Sequence, residues 1–310
     1  MTSIYLLIDD YYKEPLKNIF ERLLDYKIYC ISDINDQYEK NENNIIINYN
    51  NISFFKNKKE YILTNNFIKN YKVLKIINSK INIFKFIRYY TLINLTIFLI
   101  NRVQKYIRSN IGFEINKGSF ERIEKSFNKN LTKKLTIYSI LKECNYYIKR
   151  FKNIKLDKPK NCINIGILSS GYIPSKLYYD YTLEKLLSDK NIICNRVIGK
   201  PYFSDLFIKY HLYKIRKYCK YNIGNKVVNN IYVLDKLINN KYDGLIFIKK
   251  SNSIEDMSTS LLIDSICSKE KMPMISLNYD EKINEINIEN NINVFYDLIK
   301  LNNSNKMSEN

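Results

Sequence analysis

Two kinds of apolar spacing alternate along this chain. Ile4–Ile8 is a short aliphatic run that ends on Asp9 and Asp10, the pattern of a buried strand. Leu16, Ile19, Phe20, Leu23 and Leu24 then recur at helical spacing, and a second strand-like run follows at Lys27–Ile31. A parallel pair is the simplest product of such a β-α-β beginning. From Asp33 to Lys59 the chain is rich in Asn, Lys and Glu, with a small apolar island at Ile45–Ile47, and Tyr71–Ile77 predicts another strand. Ile83–Lys152 reads as helical throughout, with Gly112 and Gly118 its only glycines. The charged stretch Lys155–Asn161, which carries Pro159, marks a boundary.

Beyond that boundary the alternation is regular. Strands are predicted at Ile163–Leu168, Ile192–Val197, Leu245–Ile248 and Met274–Leu277. Helices are predicted at Leu177–Leu187, near 204–220, at 226–239, at Ile254–Cys267 and near 288–301. Strands separated by helices of this length specify parallel sheets covered on both faces. The expected architecture is therefore α/β: two domains with parallel Rossmann-like sheets flanked by helices, and a helical linker region between them. The first domain is expected over 1–152, as an α/β unit with a helical extension, and the second over 160–301. A polar tail is expected to fray over 302–310.

Composition adds less than its numbers suggest. The formal net charge of +19 over 310 residues would suit a polyanion partner. The excess is mostly Lys rather than Arg, however, and it is spread along the chain, as on solvated helix faces. Nucleic acid is not the expected partner, although weak affinity for polyanions is compatible with this charge. The amino terminus has no basic leader and only a short apolar run. The most membrane-like stretch, Tyr89–Ile100, is twelve residues long and contains Asn94. Spanning a bilayer core needs about 20 residues, so a buried helix and no membrane association are expected. The six cysteines (Cys30, Cys144, Cys162, Cys194, Cys219, Cys267) form no CxxC and have no histidine at ligand spacing. Reduced, mostly buried thiols of a cytoplasmic protein are expected.

In an open parallel sheet, ligands bind beyond the carboxyl ends of the strands. Three segments of the second half follow such ends and carry polar side chains: Ser169–Ser175 with Ser170 and Tyr172, Lys249–Ser253, and Asn278–Lys282 with Asp280 and Glu281. A helix start near Ser253 with lysines beside it can hold a phosphate; ordinary capping by Ser or Asn explains the same residues. Asp280 and Glu281 suit acid–base work or a hard cation, and they equally suit a solvated loop. His211, the single histidine, lies in a helical context as a partly buried residue. No Walker A loop, GxGxxG or nucleophile elbow is present, so nothing distinctive supports catalysis through those devices.

The second half resembles the 2-hydroxyacyl-CoA dehydratase superfamily, in its dehydratase-activase-related branch from anaerobic bacteria. The resemblance runs through Ile163–Ile167, Tyr172, Leu183–Leu186, Tyr242–Ile246, Ser276–Glu281, Glu285 and Phe295–Asp297. In the first half, Tyr11–Leu16 and Lys58–Ile62 look like the family's first domain. Family members that do chemistry hold [4Fe–4S] clusters on cysteine and dehydrate a 2-hydroxyacyl-CoA through radicals. Here Ser253 and Leu63 stand at the family's cysteine positions, Lys282 replaces a histidine, Asn284 and Asn287 replace glycines, and Asn290-Asn291 replaces Thr-Arg. The resemblance thus implies a ligand cleft around Ser170, Tyr172, Ser253, Asp280 and Glu281, without a cofactor, and it assigns no catalytic residue. It further implies an accessory subunit beside a cysteine-complete dehydratase component or an activase, or a relic ligand-binding protein. The alternatives are an active lyase component with a [4Fe–4S] cluster and a basic nucleic-acid-binding protein.

Overall fold

The computed structural model describes residues 4–7, 10–31, 45–48, 59–62, 67–134, 136–169, 181–196, 205–221, 224–249, 254–278 and 285–308. They form two compact units, and in each the chain builds an open sheet of four parallel strands.

In the first unit, β1 (Ile4–Leu7) pairs with β2 (Ile28–Ile31) on one side and with β3 (Ile45–Asn48) on the other; β3 then pairs with β4 (Lys59–Ile62). The helix α1 (Asp10–Leu24) buries Leu16, Ile19, Phe20, Leu23 and Leu24, the stripe its spacing implies. The apolar island at Ile45–Ile47 is thus the core of a strand. Tyr71–Ile77 is not a strand: it belongs to α2 (Phe67–Ile77). Asn70 and Leu74 are buried four residues apart while Lys72 and Lys75 face solvent, a helical repeat that a run of β-formers conceals in the sequence.

Three long helices follow: α3 (Ile83–Arg108), α4 (Ser119–Leu131) and α5 (Ile137–Lys152). The start of α5 is held by a reciprocal cap, in which Ser139 N–H donates to Thr136 Oγ1 at 3.2 Å and Thr136 N–H donates to Ser139 Oγ at 3.2 Å. Thr136→Ala is expected to cost about 1 kcal/mol, measured as a lowered urea midpoint with an unchanged slope.

At 26 residues, α3 is long and apolar enough to cross a membrane by length and composition. Tyr89–Ile100 is therefore part of a longer apolar helix, and its twelve residues do not by themselves exclude a span. One side of the helix is nonetheless buried in protein at Phe86, Leu92, Ile93, Ile97, Ile100 and Val103, and it also buries Thr96 and Gln104.

The second unit takes Gln104–Phe120, Ile154–Gly199 and Leu206–Asn310. Residues 104–120, placed in the first domain by the sequence, therefore belong here. Asp157 N–H donates to Phe113 O at 2.8 Å and Ile115 N–H to Lys155 O at 3.2 Å, and these bonds stitch the segment to Ile154–Asp157. Lys158 Nζ adds donations to Ser109 O at 3.1 Å and Asn110 Oδ1 at 2.9 Å.

The sheet of this unit runs β6-β5-β7-β8, with β5 at Ile163–Ser169, β6 at Ile192–Arg196, β7 at Gly244–Lys249 and β8 at Met274–Asn278. Between them come α6 (Thr182–Ser188), α7 (Asp205–Lys214), α8 (Asn225–Asn239) and α9 (Ile254–Lys269), and α10 (Glu285–Ser308) closes the chain. The first helix near 204–220 ends earlier than its apolar pattern suggests. The closing helix runs on to Ser308 through the stretch read as a frayed tail, which contains neither Gly nor Pro to stop it.

Alternation along the strands divides two cores. Leu168, Leu245 and Phe247 face α8 and α9, while Ile165, Ile167, Ile246, Ile248 and Leu277 face α6 and α10. Gly166 permits this packing, because a Cβ there would meet Leu237 of α8. The winding reverses between β5 and β7. From β5 the chain moves outward to β6 over one face, then returns across to β7 and β8 over the other, as right-handed crossovers require.

Candidate functional site

That reversal point fixes where a ligand would sit in the second unit. The carboxyl ends of β5, β7 and β8 stand side by side, with Ser169 opposite Ile248 and Lys249 opposite Asn278. These are the strand ends that lead into the three polar segments singled out in the sequence. Ser170, Tyr172, Ser253, Asp280 and Glu281 themselves lie outside the described residues, as does Leu63. The topology thus brings the starts of their segments to one sheet edge, across three neighbouring strands spaced about 4.8 Å apart.

Two polar clusters flank this edge, one on each face of the sheet. On the α6 face, Glu184 Oε1 accepts from Arg108 Nη1 and, at 3.2 Å, from Arg196 Nη1. All three side chains are buried: those of Arg108 and Glu184 are at most 1% exposed and that of Arg196 is 9% exposed. Each comes from a different element. Arg108 ends α3, Glu184 sits in the first turn of α6, and Arg196 ends β6. Burial alone pushes the Glu184 carboxyl up, but the guanidiniums of Arg108 and Arg196 outweigh it and hold the carboxyl below its ordinary range. Glu184 Oε2 has no hydrogen-bond partner among the described residues.

Tyr181 completes the group. Its hydroxyl donates to Gln104 Oε1 at 3.0 Å, and its ring lies 4.7 Å from the Arg108 guanidinium carbon. Its backbone is left-handed, with φ 67°, a conformation that costs a non-glycine residue of order 1–3 kcal/mol and clusters at ligand sites. Cys194 Sγ donates to Arg108 O at 3.2 Å from beneath.

On the opposite face, Lys249 Nζ donates to Ser260 Oγ at 3.1 Å, and Ser260 in turn bonds Ser276 Oγ at 3.2 Å. Thr259 and Asp256 are buried on the same helix, α9. Lys249 and Arg196 therefore place a cation at the end of β7 and another at the end of β6, two strands apart and on opposite faces.

No protein-family model matches the chain, and no curated protein matches it. The chemistry open to the site accordingly follows from its own residues.

A cysteine-held cluster does not fit them. Cys30 lies on β2, Cys144 on α5, Cys162 just before β5, Cys194 on β6, Cys219 after α7 and Cys267 on α9. Among the described residues no three Cys, His, Asp or Glu side chains gather as a metal site would require. Burial also opposes thiolate formation. It pushes the Cys30 thiol up to about 11 and those of Cys144 and Cys267 up to about 12, and Cys194 is raised further.

His211 sits on α7, buried, with Nδ1 2.7 Å from Asn229 Oδ1 and its ring stacked on Tyr232 at 3.8 Å between centroids. It packs α7 onto α8.

The buried ion triad was not singled out in the sequence, although one signal for it is present. Glu184, Leu187 and Ser188 share a helix face with Leu183, so a carboxylate falls on the stripe that must be buried. A buried carboxylate needs a cation. Nothing in the spacing identifies Arg108 and Arg196, which lie 76 residues before it and 12 after it.

Proposed function

We propose that this chain is a divergent 2-hydroxyacyl-CoA dehydratase-like protein without an iron–sulfur cluster of its own. It binds an anionic ligand of the acyl-CoA class at the carboxyl edge of its second sheet and acts as an accessory subunit in the cytoplasm. Its partner is a cysteine-complete dehydratase component or an activase.

The observation that carries this reading is the sheet edge. It sets Ser169, Lys249 and Asn278, the strand-end residues that precede Ser170 and Tyr172, Ser253, and Asp280 and Glu281 in the sequence, on adjacent strands, with the Lys249 ammonium on Ser260. Lys249, half-buried at the end of β7, suits a phosphate of a coenzyme A ester, whose charge exceeds that of a simple acid. The same strand order in both units agrees with the two parallel-sheet domains that the alternation of strands and helices predicts. Dispersed and mostly buried thiols favour binding over redox chemistry.

Anaerobic reconstitution with iron and sulfide, followed by metal analysis, separates this reading from the lyase alternative. The expected result is iron far below one cluster per chain and no visible charge-transfer absorption. A stoichiometric cluster would overturn the reading and restore the [4Fe–4S] enzyme.

A further inference from the structure

Between Glu60 and Glu114 the chain contains no acidic residue and nine Lys or Arg. This stretch includes α2, the turn at 78–82 and α3. The two helices face each other through Tyr71 and Phe86, whose ring centroids are 5.3 Å apart, and Leu74 and Phe86 are buried. Their other faces look outward and carry large apolar side chains. Phe84 is 80% exposed, Ile76 68% and Ile68 63%, and Ile83, Ile87 and Phe98 are exposed as well. Lys69, Lys72, Lys75, Lys80 and Arg88 are exposed among them. Helical spacing sets Ile68, Lys72, Lys75 and Ile76 on one side of α2, and Phe84, Ile87 and Arg88 on one side of α3.

We propose that this hairpin face docks on an anionic lipid surface, lying in the interface without spanning the bilayer. Exposed Ile and Phe interleaved with Lys and Arg is the combination that binds such surfaces, the apolar groups entering the headgroup boundary while the cations meet lipid phosphates. Asp25 pairs with Lys85 at 2.7 Å beside the start of α3, but every charge that α2 and α3 themselves contribute is positive, so a second copy of the chain is a poor occupant: self-pairing would set like against like. Nucleic acid is a poor one too, because most of the exposed apolar groups are isoleucines, which offer no flat surface for base stacking. A spanning role conflicts with the side of α3 that is buried in protein at Leu92, Ile93, Thr96, Ile97 and Ile100. This inference concerns the first unit and is independent of the ligand reading at the second sheet.

The test is cosedimentation of the full chain with vesicles of neutral phosphatidylcholine, with or without about one-third phosphatidylglycerol. Binding to the anionic vesicles is expected to exceed binding to neutral ones by about tenfold or more at low salt, and to weaken as salt rises. Two variants, Lys69→Gln/Lys72→Gln/Lys75→Gln and Phe84→Ser/Ile87→Ser, should each remove most of it. Removing equal charge from α4 and the turn after it, with Lys125→Gln/Lys129→Gln/Lys133→Gln, should leave most of it. All these positions are exposed, and far-UV circular dichroism checks that each variant folds. Four results overturn the proposal: no binding to anionic vesicles; an equal loss in the α4 variant; retention that resists alkaline extraction, which marks a spanning helix; or capture by a single-stranded oligonucleotide without vesicle binding.

Discussion

Glu184→Gln is expected to lower the unfolding free energy by about 3–5 kcal/mol, the usual consequence of removing one partner from a buried ion pair. Arg108 and Arg196 would then stay buried beside a neutral amide that cannot balance two guanidiniums. Urea unfolding at neutral pH measures the effect as a shifted midpoint with little change in slope. The native triad carries a matching pH dependence. The carboxyl of Glu184 is lower in the folded protein than its ordinary value of 4.5, so the unfolded chain takes up its proton first as pH falls. Its stabilisation is thus fully present above about pH 4.5 and is lost as pH falls towards the folded value. The Gln variant should lack this part of the acid sensitivity. A loss under about 1 kcal/mol would mean that the carboxylate is solvated and the triad does not form.

Gly112→Ala is expected to cost about 2–5 kcal/mol, from two sources. Gly112 has φ +93°, where an L side chain is strained by about 1–2 kcal/mol. A Cβ there would also lie 2.7 Å from Ser188 Cβ and overlap Ser188 Oγ, and overpacking of this kind costs about 1–3 kcal/mol. The close approach has a purpose, since it brings the segment after Arg108 against the end of α6, whose first turn presents Glu184. Adding Ser188→Gly should return the packing part of the loss while leaving the backbone part. The double-mutant cycle should therefore be non-additive by about 1 kcal/mol or more. Strict additivity would show that the two positions do not touch.

The second unit was legible in the sequence because its central strands, β5 and β7, are apolar runs buried on both faces and its helices are spaced between the strands. Leu245–Ile248 is wholly buried and could hardly pack in another way. The first unit was less so. Its third strand is a four-residue island in polar sequence, and α2 is written in Tyr, Val, Leu and Ile, which propensity alone assigns to a strand. Helix pairing through Tyr71 and Phe86 decides that segment, and such a contact has no local signature. The site divides in the same way. Strand ends and their polar followers could be read directly, because topology fixes which edge binds. The Arg108–Glu184–Arg196 triad could not, because it joins positions brought together only by the folded chain. The basic apolar hairpin was also missed. Charge totalled over the whole sequence reads as evenly spread, and the acid-free stretch acquires meaning only once α2 and α3 present their outer faces.

Calorimetric titration with coenzyme A and a short acyl-CoA, on the wild type and on Lys249→Ala, decides whether the carboxyl edge of the second sheet is a ligand site. Lys249 sits at the end of β7, where its ammonium rests on Ser260, and a charged hydrogen bond to a ligand phosphate is worth about 1.5–3 kcal/mol. The predicted result is saturable binding to the wild type that weakens about tenfold or more in the variant, with Tm unchanged. Absence of any binding to either compound, or binding that Lys249→Ala leaves untouched, would contradict the assignment of this sheet edge.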